Sequence, residues 1–212
     1  MRGPSRRGAP LAHFVASALL GYPDRELFAA RPVLAEAVRR LPAGEPARRL
    51  GAFLDHLDRV SPPALAAHYV AVFDLSARCC PYLTYYTHGD TRARGGALLR
   101  FRALCRTAGV EPVDGELPDH LAVVCELSGR SAVPGVEERT AEAGRRAREL
   151  LAEHRGAVEL LLRGLEAERS PYADVVGAVL ATVQPGRRRA RVFAEPPVEG
   201  VGLAGYMRGG RG

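Results

Sequence analysis

The sequence contains no lysine and no tryptophan, so all 30 basic residues among its 212 are arginine. An arginine-only chain rich in alanine, glycine and proline most simply reflects a GC-rich coding bias, not a demand for guanidinium chemistry. Cysteine is scarce. Cys79 and Cys80 are adjacent, which gives neither a CxxC redox pair nor zinc-knuckle spacing, while Cys105 and Cys125 fall on apolar helical faces and read as small core residues. Disulfides are not expected. Nor does any apolar run approach the roughly 20 residues that a bilayer-spanning helix requires. The N-terminus imitates a signal peptide, with Arg2, Arg6 and Arg7 ahead of an apolar stretch, but its uninterrupted apolar core is too short. Leu11, Phe14, Val15, Ala18 and Leu19 recur instead at the spacing of a buried helical face. A cytoplasmic protein without direct membrane insertion is the expectation.

The formal charge of +6 raises the question of nucleic acid until it is located. Nine arginines lie in the first ten and last 26 residues, opposed there only by Glu195 and Glu199. That leaves 21 arginines against 22 acids in residues 11–186, a neutral to slightly acidic body between basic ends. A nucleic-acid-binding domain carries its charge on a folded face and shows a recognition element, and neither is present. No nucleic-acid partner is expected.

With 47% hydrophobic and 25% charged residues, the composition is that of an ordinary globular protein. A chain of this length buries roughly 70% of its unfolded surface without disulfide or metal staples. Periodicity is helical nearly throughout and no stretch alternates as a strand, which predicts an all-α single domain over residues 1–184. A basic, Gly/Pro/Arg-rich flexible tail is expected over residues 185–212. Asp24 and Ser61 read as N-caps, Thr91 and Pro118 as helix starts, Pro32 as a break or kink, and Gly129 as a terminator. His154 sits on an apolar face and reads as core, whereas His13, His56 and His68 share no spacing.

The pattern lapses over residues 74–90, and here the sequence stops being generic. Three of seven tyrosines, with three threonines and a histidine, crowd into Cys79-Cys80-Pro81-Tyr82-Leu83-Thr84-Tyr85-Tyr86-Thr87-His88-Gly89-Asp90-Thr91-Arg92. Tyrosine offers apolar area with a polar tip at low entropic cost, so this is either a binding surface or a plug between helices with Asp90 as cap. A second segment, Glu116-Leu117-Pro118-Asp119-His120-Leu121, is either a helix start or a polar site.

The Leu-Thr-Tyr-Tyr-Thr-His-Gly-Asp-Thr-Arg run over residues 83–92 closely resembles the respiratory nitrate reductase assembly chaperones, the NarJ-type or delta-subunit family. Glu116-Leu117-Pro118-Asp119-His120-Leu121 resembles the same family and the E-x-P-x-D-H motif of the wider TorD-like chaperones. Residues 151–173 fit as well, so the resemblance covers most of residues 11–183. It implies a single all-helical domain and a dedicated chaperone that is not an enzyme. Its partner would be the catalytic (alpha) subunit of nitrate reductase, bound at the N-terminal segment of the apo form. The chaperone would promote insertion of the molybdenum–guanine dinucleotide cofactor and an iron–sulfur cluster before membrane docking, while holding no cofactor stably itself. A TorD-like chaperone for a different molybdoenzyme is the alternative.

Helix-in-groove recognition would suit that role. Tyr69, Phe73, Tyr82, Tyr85 and Tyr86 are the candidate apolar contacts for a client peptide, Asp74, Asp90 and Asp119 the candidate partners for its basic residues, and His120 a candidate polar or pH-sensitive contact. A nucleophile–base pair drawn from Cys79 or Cys80 with His88 or His120 is the enzymatic alternative. It lacks any supporting phosphate loop, metal-ligand spacing or nucleophile elbow.

Overall fold

The computed structural model describes residues 8–89, 92–110, 116–186 and 189–193. Ten α-helices account for most of them: α1 (Ala9–Leu19), α2 (Arg25–Arg39), α3 (Glu45–Leu57), α4 (Pro62–Tyr69), α5 (Tyr85–His88), α6 (Arg92–Ala108), α7 (Leu121–Arg130), α8 (Glu138–Glu153), α9 (Arg155–Ala167) and α10 (Tyr172–Thr182). Among the described residues there is no β-strand, so the fold is all-α as expected.

Local chemistry sets several of the boundaries. Asp24 accepts from the Leu27 amide at 2.9 Å and Ser61 from the Ala64 amide at 3.4 Å, each satisfying an otherwise orphaned N-terminal donor. Elsewhere tertiary packing overrides the local signal. α2 runs straight through Pro32 as one 15-residue helix instead of breaking there. α7 begins at Leu121, not at Pro118, and its cap is the His120 ring, whose Nδ1 accepts from the Ala122 amide at 3.1 Å. Residues 138–167 divide at His154 between α8 and α9.

Gly129 lies one residue before the end of α7, as expected, and it is also where α7 meets α1. A Cβ there would lie 2.7 Å from the Phe14 Cα, so the two helices cross backbone to backbone. This close crossing changes the buried face of α1. Val15 and Leu19 are buried as expected, but with Ala12, His13 and Ala16, while Phe14 (44% exposed) and Ala18 face outward. Small residues fill a contact too tight for the phenyl ring.

α1 packs mainly on α7 and α10, α10 also on α3 and α9, and α8 bridges α7 to α6. Four of these helices share a buried polar centre. His13 sits 2.7 Å from Ser128 Oγ through Nδ1 and 2.6 Å from Thr182 Oγ1 through Nε2. Thr182 donates to the Val179 carbonyl at 2.7 Å, so it accepts from His13 Nε2–H, and Ser128 donates to Nδ1. Arg148 closes the centre, donating to Ser131 Oγ at 2.8 Å and the Ser128 carbonyl at 3.2 Å. Burial first, then Arg148, pull His13 down to about 3, which keeps it neutral.

A second cluster is aromatic. Tyr172 on α10 lies 5.0 Å from both Phe53 and Phe73 and 5.8 Å from Tyr69, with His68 stacked at 6.1 Å. This anchors α4 to the centre of the molecule and leads into the irregular region that follows it.

Candidate functional site

α4 does not end cleanly at Tyr69; it widens into a π-helical turn, Val70–Asp74, in which the Leu75 amide reaches back five residues to the Val70 carbonyl at 3.1 Å. Such turns concentrate at functional sites because the extra residue redirects side chains from the helical phase. Here Tyr69 and Phe73 turn inward, their rings 4.8 Å apart and each 8% exposed, while Asp74 and Leu75 point outward and Leu75 is 78% exposed. A short 3₁₀ turn, Ala77–Cys79, follows, with Cys79 buried and Cys80 half-buried. Burial pushes the Cys79 thiol up, the opposite of an activated nucleophile.

The two unusual sequence segments are joined to one another. Tyr82 and His120 form an antiparallel bridge, the Leu83 amide donates to the Asp119 carbonyl at 3.1 Å, and the Leu121 amide donates to the Pro81 carbonyl at 2.9 Å. Side chains reinforce this pairing. Tyr82 Oη donates to Glu116 Oε1 at 2.6 Å, and the Tyr82 ring lies edge-on to His120 at 5.3 Å with the Arg94 guanidinium 5.4 Å from its centroid.

Asp119 is fully buried at the centre of the junction. Its Oδ2 accepts from the Thr84 amide at 3.0 Å and Thr84 Oγ1 at 2.5 Å, and Arg94 Nε donates to Thr84 Oγ1 at 3.0 Å. Arg94 Nη2 stands 3.7 Å from Asp119 Oδ2, yet neither that nitrogen nor Asp119 Oδ1 has a hydrogen-bond partner among the described residues. Beyond Thr84 the chain makes the single turn α5 and closes at Gly89, whose φ of 59° favours a residue without a Cβ.

Of the sequence-predicted residues, Asp119 and His120 are thus brought together with Tyr82, while Tyr85 and Tyr86 lie in the interior, 2% and 0% exposed. Tyr86 Oη donates to the Arg78 carbonyl at 3.2 Å, and burial drives its phenol pKa strongly up. In this conformation both rings plug the space between helices, so a peptide meets neither directly. Asp119 likewise faces Thr84 and Arg94 instead of solvent. His120 is 4% exposed, and burial lowers its pKa against the opposing pull of Glu116 and Asp119. Asp90 and Thr91 lie outside the described residues.

What remains open is a face beside the junction. Tyr22, 57% exposed, lies 5.6 Å edge-on from Tyr69; Asp74 and Glu116 act on the same Tyr69 phenol, half-buried Tyr82 is bonded to Glu116, and exposed Leu75 follows Asp74 in the chain. The connection shows in Tyr69, whose phenol is pushed up to about 12 by burial first and then by the nearby charges of Asp74 and Glu116. Exposed apolar rings and a leucine beside two carboxylates favour a ligand that is apolar with basic flanks. Sequence reasoning missed Tyr22, Leu75 and Glu116 as members of this face. The Glu116 side chain was within the quoted motif, but nothing local linked Tyr22 to Tyr69. Among the described residues no cluster of three potential ligands is arranged to hold a metal ion, and no helix is long and apolar enough to cross a membrane.

The sequence pattern of the nitrate reductase delta subunit matches residues 40–176, a span that includes both halves of the junction. The chain belongs to this family. It is 40% identical over 168 residues to nitrate reductase-like protein NarX of Mycobacterium tuberculosis, an alignment covering 79% of this chain and 23% of NarX. The probable nitrate reductase molybdenum cofactor assembly chaperone NarJ of Bacillus subtilis is 29% identical over 168 residues, covering 79% of this chain and 85% of that protein. For the nitrate reductase molybdenum cofactor assembly chaperone NarJ of Escherichia coli the figure is 33% over 131 residues, 58% of this chain and 55% of that protein. Within the delta-subunit family, then, this chain spans under a quarter of NarX but most of the Bacillus NarJ.

Proposed function

We propose that this protein is an assembly chaperone for a respiratory nitrate reductase. It binds the N-terminal segment of the apo catalytic subunit and keeps that subunit open to its molybdenum–guanine dinucleotide cofactor and an iron–sulfur cluster before membrane docking in the cytoplasm. The cofactor and cluster are cargo destined for the client. One observation carries the reading: the two family segments are built into each other at the Tyr82–His120 bridge, and this junction supports an exposed apolar and acidic face.

In this reading Tyr69, Phe73 and Tyr82 form the floor under a client helix, Tyr22 and Leu75 meet its apolar side chains, and Asp74 and Glu116 pair with its basic ones. Tyr85, Tyr86, Asp119 and His120 act from beneath by fixing the floor, and Asp90 is a further acidic contact. Burying two or three apolar side chains at about 1.5–3 kcal/mol each suffices for micromolar affinity once association costs are subtracted. Calorimetric titration of the full chain with a peptide from the N-terminus of the cognate catalytic subunit tests this. One-to-one binding with a negative heat-capacity change is expected. Tighter binding of the corresponding peptide from another molybdoenzyme would reassign the client, and binding of a scrambled peptide equal to the native one would remove the proposal.

A further inference from the structure

Residues 189–193 lie against the body of the protein, on residues that are not among those of the Tyr22–Leu75 face, and the contacts they make are those of a ligand in a slot. The Ala190 amide donates to the Glu153 carbonyl at 2.9 Å and the Phe193 amide to the Tyr86 carbonyl at 2.9 Å. Both acceptors sit at helix ends. Glu153 is the last residue of α8, and Tyr86 lies in the single turn of α5, so each carbonyl is among the last four of its helix. Between these two hydrogen bonds Val192 sits over Gly156 at the start of α9. A Cβ at position 156 would stand 3.2 Å from both Val192 methyl groups, so the absent side chain is what makes the seat.

The segment is held without being packed in. A cavity of about 330 Å³ on one side is lined by Glu153, Arg155, Gly156 and Glu159 together with Arg189 and Val192. On the other side a cavity of about 460 Å³ is lined by His88, Arg100, Glu153 and His154 with Ala190 and Arg191. Phe193 remains 43% exposed. The end of a 16-residue helix such as α8 carries partial negative charge, which favours an occupant rich in arginine, and the segment reads Arg-Ala-Arg-Val-Phe.

We propose that the Glu153 carbonyl, the Gly156 seat and the Tyr86 carbonyl form a second peptide-binding slot, whose ligand is a short non-helical segment with a β-branched residue flanked by arginine. Residues 189–193 are its resident occupant. The inference stands apart from the client-peptide reading, since it concerns a different face and a ligand already in place.

The test uses the full chain and a fluorescent peptide copying residues 188–194, followed by anisotropy. Val192→Asp empties the seat, so the peptide is expected to bind this variant at least tenfold more tightly than the native chain. Adding Gly156→Val refills the seat and should abolish that gain. Equal binding to the native chain and to Val192→Asp, or undiminished binding to the double variant, would overturn the proposal. Circular dichroism checks that each variant keeps its helices. Gly156→Val alone supplies a second reading by hydrogen exchange: Ala190 and Phe193 should lose at least tenfold in protection while the later amides of α9 keep theirs. Retained protection at both would also overturn it.

Discussion

The two buried polar centres of this molecule are built on opposite terms. In the His13 centre the neutral ring's two nitrogens and the Ser128 and Thr182 hydroxyls are all engaged, and the one charge, on half-buried Arg148, donates in from the edge to Ser131 and Ser128. In the Asp119 centre a carboxylate and a guanidinium are brought inside, and one atom of each is left unpartnered among the described residues. A network whose buried members are neutral and satisfied, with its one charge at the edge, fixes packing at low cost, whereas a buried ion pair costs desolvation that its partners only partly offset. The costlier arrangement is found where the two family segments meet, under the open face. That placement fits a centre that holds a binding floor in shape, with the His13 centre holding the helices together.

The contrast breaks most sharply at Asp119. Asp119→Ala strands Arg94 and removes the acceptor of both hydrogen bonds that Thr84 donates, so a loss of about 3–5 kcal/mol in unfolding free energy is expected. Urea denaturation measures it. A loss below 1 kcal/mol would mean that Arg94 reaches solvent and that the junction does not depend on the pair.

The His13 centre is tested by pH. Its folded-state pKa of about 3 lies below the unfolded value near 6.5, as does that of His154 at about 4, so the unfolded chain binds more protons between those limits. Stability is therefore full above about pH 6.5 and falls as the pH is lowered through the window. From pH 7 to pH 5 each histidine contributes a loss of about 2 kcal/mol. His13→Asn should lower stability at pH 7 yet flatten this slope by one histidine's share. An unchanged slope would show that the imidazole is protonated in the folded state.

Legibility followed the range of the interactions. The all-α class, the caps at Asp24 and Ser61 and the core role of His154 depend on neighbours within a few residues, and these were readable. The His13 centre was not, because its partners lie 115 and 169 residues away and each side chain looks ordinary in its own helix. Likewise the tyrosines of residues 82–86 stood out by composition, but whether a ring plugs the core or faces solvent depends on α5 being only one turn long. Pro32 misled as a break for the same reason: a local signal for ending a helix yielded to packing that kept α2 continuous, whereas Gly129 marked the end of α7 to within one residue.

The smallest expected stability effect is the one that separates folding from binding. Leu75 belongs to neither polar centre, is 78% exposed at the end of the π-helical turn, and leaves little apolar contact behind when shortened. Leu75→Ser should therefore hold unfolding free energy within about 0.5 kcal/mol. On the proposed face the same side chain is buried by the client peptide, and losing about 1.5 kcal/mol of that burial weakens binding roughly tenfold. Denaturation and peptide titration on the same preparation read both quantities. If affinity stays unchanged while stability holds, the peptide does not cross the end of the π turn, and the open face shrinks to Tyr22, Tyr82 and Glu116. If affinity falls as expected, the division of labour holds: Asp119 keeps the junction folded, and the residues above it meet the client.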